Sequence, residues 1–293
     1  MRRLILSRIN SSQKRRIAAL CKACCQAEPI RLTLPLPRPG EELSDERFFL
    51  LYDKGQLVSL IHLFYPDHFT GELIGFTHPD FRGKNYFKSL LSLAADYAEE
   101  IGLEQVYVIS DGNSPDAQKA LSSLELDAEY AEYMFEKTLN KSPEDPLTEP
   151  NNETTAPLLS VAETNSSPLT AALFSEIFQT DIAQCEAYLE DISSDDRIHT
   201  YVLSLNEKPV GQTQITFMDD MAYISGFGIL PGYRRQGLGL KFLNLLEKQL
   251  AGESVKQLTL QVSSQNKAAL LLYEKDSFEV LEGLHYYPLF EED

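Results

Sequence analysis

Positive charge is scarce in this chain. Lys and Arg number 26 against 44 Asp and Glu, which gives a formal net charge of −18. Binding to a polyanion draws on clustered Lys and Arg, so nucleic acid is excluded as a partner. Long apolar runs are missing too. No stretch approaches the ~20 residues that span a bilayer, which excludes a transmembrane helix and a membrane partner. The apolar stretch after Met1-Arg2-Arg3 is too short for a signal peptide and reads as the start of a first strand. Cysteine is limited to Cys21, Cys24, Cys25 and Cys185, three of them on one helical pattern that follows Ser11-Ser12. The five histidines, His62, His68, His78, His199 and His285, make no pair with metal-ligand spacing. No metal is expected, and the thiols read as small, buried or half-buried residues of a reducing cytoplasm. The acidic balance favours solubility and suits a cationic amine as ligand.

What is present is enough for two cores. Hydrophobic residues make up 43% of the chain. Between residues 141 and 156 the sequence turns acidic and proline-rich with almost no apolar content, which makes a linker. The expected domains are therefore 1–140 and 157–293, each of ordinary domain size.

The strongest pattern lies in the second half. Ala222 to Ile229 is apolar and small and is closed by Pro231-Gly232, as a buried strand followed by a turn. Arg234-Arg235-Gln236-Gly237-Leu238-Gly239 comes next. Leu238, Phe242, Leu246 and Leu250 then recur at helical spacing. A helix entered through two glycines presents bare N–H groups at its positive end, a site for phosphate. A dinucleotide fingerprint requires a third glycine where Phe242 stands, and a Walker loop requires Gly-Lys-Ser/Thr, which is absent. Downstream, Gln257 to Val262 alternates as a strand does and leads into Asn266, Ala269, Leu272, Tyr273 and Phe278.

These two motifs, in this order, resemble those of the GNAT superfamily of N-acetyltransferases. The first matches its Arg-x-x-Gly-x-Gly acetyl-CoA signature. The second matches Asn-x-x-Ala-x-x-Leu-Tyr-x-x-x-Gly-Phe, with Ser277 in place of the glycine. The resemblance implies an α/β (α+β) fold with a mixed, mostly antiparallel central sheet flanked by helices. It implies acetyl-CoA as co-substrate, held by Phe227, Gly228 and Ile229 on a splayed strand. Arg234, Arg235, Gln236, Gly237, Leu238, Gly239 and Leu240 hold it at the phosphate loop, and Asn266 at the next helix start. Tyr273 is the implied catalytic acid for the leaving thiolate.

The first half carries a faded copy of the same plan. Pro79-Asp80-Phe81-Arg82 aligns with Pro231-Gly232-Tyr233-Arg234, each after an apolar run and before a helical one. In this register Asn85 replaces Gly237, Phe87 replaces Gly239 and Leu121 replaces Tyr273. A tandem pair of GNAT-like domains is therefore expected, the first degenerate, with one acetyl-CoA per chain. The expected reaction is acetyl transfer to a primary amine of a small molecule. Two alternatives stay open: a non-catalytic sensor of acetyl-CoA or CoA, and acetylation of a protein or peptide amine by a chain that dimerises through its first half. The residue that deprotonates the amine is left open among Tyr223, Ser225, Glu186 and Glu190, since no carboxylate stands between Ala222 and Ile229.

Overall fold

A computed structural model describes residues 1–34, 36–65, 69–139, 158–164 and 167–290. The linker expected at 141–156 lies outside the described residues. In chain order the first elements are β1 (Arg2–Leu6), α1 (Ser11–Ala27), β2 (Glu46–Asp53), β3 (Gln56–Phe64), β4 (Thr70–Thr77), α2 (Tyr86–Glu100), β5 (Gln105–Asp111), α3 (Pro115–Ser122) and β6 (Tyr130–Thr138). The second series is β7 (Leu159–Thr164), α4 (Ser167–Phe178), α5 (Ile182–Ile192), β8 (Ile198–Leu205), β9 (Lys208–Met218), β10 (Met221–Ile229), α6 (Leu238–Gly252), β11 (Gln257–Ser263), α7 (Lys267–Lys275) and β12 (Glu279–Pro288). Among the described residues no helix is long and apolar enough to cross a membrane.

The chain forms two compact units, and each takes strand residues from the other half of the sequence. Unit 1 comprises Met1–Tyr133, Ser263–Gln265 and Glu282–Asp293; unit 2 comprises Met134–Val262 and Asn266–Leu281. In unit 1 the strands run β1-β2-β3-β4-β5-β12. There β12 pairs antiparallel with β5, from Leu284 opposite Asp111 to Pro288 opposite Tyr107. In unit 2 the order is β6-β11-β10-β9-β8-β7, with the Met134–Thr138 part of β6 at one edge. Most neighbours are antiparallel. β4 with β5 and β10 with β11 run parallel, each pair joined through a helix.

Helix starts follow local sequence. Asn10, rather than Ser11 or Ser12, caps α1: its side chain accepts from the Gln13 N–H at 2.9 Å and Gln13 returns a bond to the Asn10 N–H at 2.8 Å. The helical spacing read in the second half becomes the buried face of α6, with Leu238, Phe242, Leu243, Leu246 and Leu250 against the sheet. Burial of each such side chain contributes roughly 1.5–3 kcal/mol.

An ion cluster ties β6 into unit 2. Lys137 on β6 meets Glu247 of α6 at 2.6 Å and Asp276, just after α7, at 3.0 Å, and Asn244 donates to Asp276 at 2.9 Å. Burial, and then the hydrogen bond to Asp276, push the Glu247 carboxyl from an ordinary 4.5 up to about 7. Folding therefore favours the protonated Glu247. Its contribution to stability is fully present below pH 4.5 and is lost as pH rises through about 7. The expected result is a thermal midpoint that falls by several degrees between pH 5 and pH 8, and a smaller fall in Glu247→Gln. Equal falls in both proteins, followed by calorimetry, would remove Glu247 as the cause.

Candidate functional site

The site in unit 2 begins where two parallel strands part. β10 pairs with β11 only from Met221–Gln257 to Ile224–Leu260, while β10 itself runs on to Ile229. Its register against β9 shifts between Ser225 and Gly228, and Gly226 adopts φ +54°. This is a β-bulge, as the glycines at 226 and 228 allow. Past the parting point β10 continues with Phe227, Gly228 and Ile229. The Phe227 ring stacks on Phe242 of α6, with centroids 5.1 Å apart, and lies 6.3 Å from the Tyr273 ring of α7. Gly228 faces the other way: a Cβ there would fall 2.2 Å from Cγ2 of Ile177 on α4, so only glycine fits.

The loop from Arg234 to Gly237 then turns the chain into α6. Arg235 and Gly237 both adopt left-handed backbone, at φ +63° and +77°. No side chain caps α6, whereas α1, α3, α5 and α7 are capped by Asn10, Ser114, Asp181 and Asn266. The first N–H groups of α6, those of Leu238, Gly239 and Leu240, are thus left for another acceptor. Space above Gly237 is open, since an added Cβ would meet nothing within 4 Å. An uncapped helix start with open space above it fits the diphosphate of a coenzyme. Arg235 and Gln236 are exposed beside it. Arg234 is placed differently: its Nε donates to the Ile229 carbonyl at 2.8 Å and its Nη2 to the Ile177 carbonyl at 2.6 Å. It clips the loop to α4. Asn266 accepts from the Ala269 N–H at 3.1 Å and so serves as the cap of α7.

Tyr273 is 6% exposed, packed among Phe135, Phe227 and Phe278. Burial, with Tyr223 as a second cause, raises its pKa, which keeps the hydroxyl protonated at neutral pH.

Unit 1 repeats this geometry with different side chains. β4 pairs with β5 only as far as Ile74–Ile109 and continues to Thr77. Gly83 and Asn85 hold the two left-handed positions, at φ +71° and +59°, and α2 also starts without a side-chain cap. The Phe87 ring does not cover that helix start; it packs over Gly75, where an added Cβ would lie 2.5 Å away. The matching positions in unit 2 are Phe227, whose ring stacks on Phe242, and Gly239, where an added Cβ would meet Leu272 at 3.2 Å. A cleft of about 620 Å³ remains, lined by Thr77, Arg82, Phe87, Asp111 and Leu121 among others. Arg82 is held by Glu28 at 2.8 Å and Asp116 at 2.5 Å. The counterpart of Tyr273 is the buried Leu121, which has no proton to give. Backbone access survives in unit 1; the acid does not.

Gln212, Gln214 and Tyr188 belong to no motif of the sequence. The Tyr188 hydroxyl donates to Oε1 of Gln214 at 2.9 Å. Their only signal is a polar pair two residues apart within a strand, which reads equally as a solvent-facing edge. Among the described residues no group of three or more His, Cys, Asp or Glu is arranged to hold a metal ion.

The family model described as "Acetyltransferase (GNAT) family" matches residues 18–122 and 166–278. Among curated proteins, the [Ribosomal protein bS18]-alanine N-acetyltransferase of Escherichia coli (strain K12) is 33% identical over 94 residues, covering 32% of this chain and 64% of that protein. The chain thus spans 64% of the length of the curated relatives it matches. Among solved structures, a GCN5-related N-acetyltransferase from Sphaerobacter thermophilus superposes with TM-score 0.72 at 16% identity over 97% of this chain and 95% of that one. A tandem GNAT protein from the clavulanic acid biosynthesis pathway gives TM-score 0.63 at 15% identity, with 100% of both chains covered. At these identities the structures speak for the fold, and both extend over the two halves.

Proposed function

Because the chain belongs to the acetyltransferase (GNAT) family, we propose that unit 2 transfers the acetyl group of acetyl-CoA to a primary amine of a small molecule by direct attack on the thioester. The observation that carries this reading is the meeting of three features. β10 parts from β11, α6 starts uncapped under open space at Gly237, and the protonated Tyr273 lies against Phe227 at the parting point.

Acetyl-CoA supplies the activated acyl carbon and a thiolate leaving group. The chain supplies position and one proton. Backbone groups of Phe227, Gly228 and Ile229 hold the arm of the coenzyme in the cleft. The N–H groups of Leu238, Gly239 and Leu240, with Arg235 and Gln236 beside them, hold the diphosphate. As the C–N bond forms and the C–S bond breaks, Tyr273 donates its hydroxyl proton to the departing sulfur, and the proton released by the nitrogen, passed through solvent, restores the hydroxyl; a phenol near pKa 10 or above is a suitable acid for a thiolate. A cytoplasmic setting goes with Cys21, Cys24, Cys25 and Cys185, all of them free thiols.

A second reading, acetylation of a protein N-terminus, is favoured by one observation: the 33% identical relatives are named for transfer to an alanine of a ribosomal protein. Release of CoA from acetyl-CoA against a panel of small amines, amino acids and peptides tests both. Turnover on a small amine is expected. Turnover confined to peptides would replace the first reading with the second, and acetyl-CoA binding with no turnover on any amine would leave a sensor.

A further inference from the structure

Two glutamines lie buried in unit 2 without the partners that buried amides require. Gln212 is 0% exposed and Gln214 1%. Among the described residues neither amide atom of Gln212 has a hydrogen-bond partner, nor has Nε2 of Gln214. They stand two apart on β9 and so share a face. A leucine at 212 would leave no polar atom unsatisfied, so packing alone does not account for Gln212.

Their position is specific. Gln214 pairs with Ser225 and Gln212 with Gly228, which brackets the bulge of β10. Paired residues of antiparallel strands lie about 5 Å apart. On this face β10 offers Ser225 opposite Gln214 and glycine at 226 and 228: a Cβ at Gly226 would meet Phe174 of α4 at 3.2 Å and Oε1 of Gln214 at 3.7 Å, and one at Gly228 would meet Ile177. Phe227 points to the opposite face, toward α6 and Tyr273. The glutamines therefore lie across β10 from the acid, beside the segment assigned to the thioester. Tyr188 is 42% exposed, yet its hydroxyl reaches Gln214. Tyr188 thus links the buried amide of Gln214 to the surface.

We propose that Gln212, Gln214 and Tyr188 form the acceptor pocket, and that they select an amine standing beside an amide group, as in an amino-acid amide or at the first peptide bond of a peptide. This rests on the acetyltransferase reading above. The open positions are one acceptor, Oε1 of Gln212, and the donors on Nε2 of Gln212 and Nε2 of Gln214. The set is neutral and mixed. A carboxylate calls for charged donors and a second ammonium for acceptors alone, whereas an amide, with one carbonyl and its N–H, satisfies a carboxamide through two bonds.

The test uses the full chain with acetyl-CoA and two acceptors of like side chain, leucinamide and isoamylamine. Leucinamide is expected to be acetylated. Gln212→Leu should raise its KM about tenfold, as the loss of a hydrogen-bonded partner does, while leaving the KM of isoamylamine and the Kd of acetyl-CoA unchanged. The same variant should raise the thermal midpoint, because an unsatisfied buried amide is removed. Gln214→Leu should act in the same direction. If acetyl-CoA binds but leucinamide is not acetylated, or if its KM is unmoved and the midpoint falls, the glutamines are structural and the proposal fails. Absence of acetyl-CoA binding would sink the acetyltransferase reading itself, and this proposal with it.

Discussion

Replacing Gly237 with valine is expected to weaken acetyl-CoA binding on the order of 10²-fold, measured by calorimetry on the full chain. Two causes act together. The residue holds φ +77°, a conformation that a β-branched side chain adopts only with strain. An added Cβ meets no protein atom within 4 Å, so its cost falls on whatever occupies the open space above the start of α6. Gly237→Asn separates the two. Asparagine tolerates left-handed backbone and Asn85 already holds the matching position in unit 1 at φ +59°, so this variant should fold normally and lose less affinity than the valine. An unchanged Kd in Gly237→Val would show that the diphosphate does not sit at this helix.

Tyr273→Phe is expected to lower turnover by roughly 10²-fold with acetyl-CoA affinity preserved, the scale of a lost general acid. The substitution is conservative in volume. The ring keeps its neighbours Phe135, Phe227 and Phe278, at 6.1, 6.3 and 5.7 Å, so packing is retained and only the proton is lost. A fall in kcat at constant Kd, from single-turnover kinetics and calorimetry, is the signature of the acid. Unchanged turnover would make Tyr273 a packing residue and leave the thiolate to be protonated by water.

The parts of the fold legible in the sequence are those fixed by neighbours in the chain. The stretch from Gly237 to Leu250 signalled the bare start and apolar face of α6. Pro79 and Pro231 exposed the repeat. What escaped depends on residues far apart. The packing of Phe87 over Gly75 is visible only once the two positions are known to touch. Arg234, in the midst of a phosphate motif, spends two nitrogens on the carbonyls of Ile229 and Ile177, and the latter lies on a helix that sequence proximity does not suggest. Gln212 and Gln214 read as ordinary strand polarity until their burial is seen. Nothing in Leu284–Pro288 announces its pairing with β5, because alternation fixes the face of a strand, never its partner.

That pairing sets a timetable for the growing chain. β5 has emerged from the ribosome long before the residues that lie against it, Leu284–Pro288, have been made. Until then the Tyr107–Asp111 stretch presents unpaired N–H and C=O groups along a sheet edge, the kind of edge that attracts foreign strands. The first half of the protein is thus the first to be synthesised and among the last to be finished. A chain stopped at the proline-rich stretch would lack not a separate module but the closing strand of the unit it had already begun.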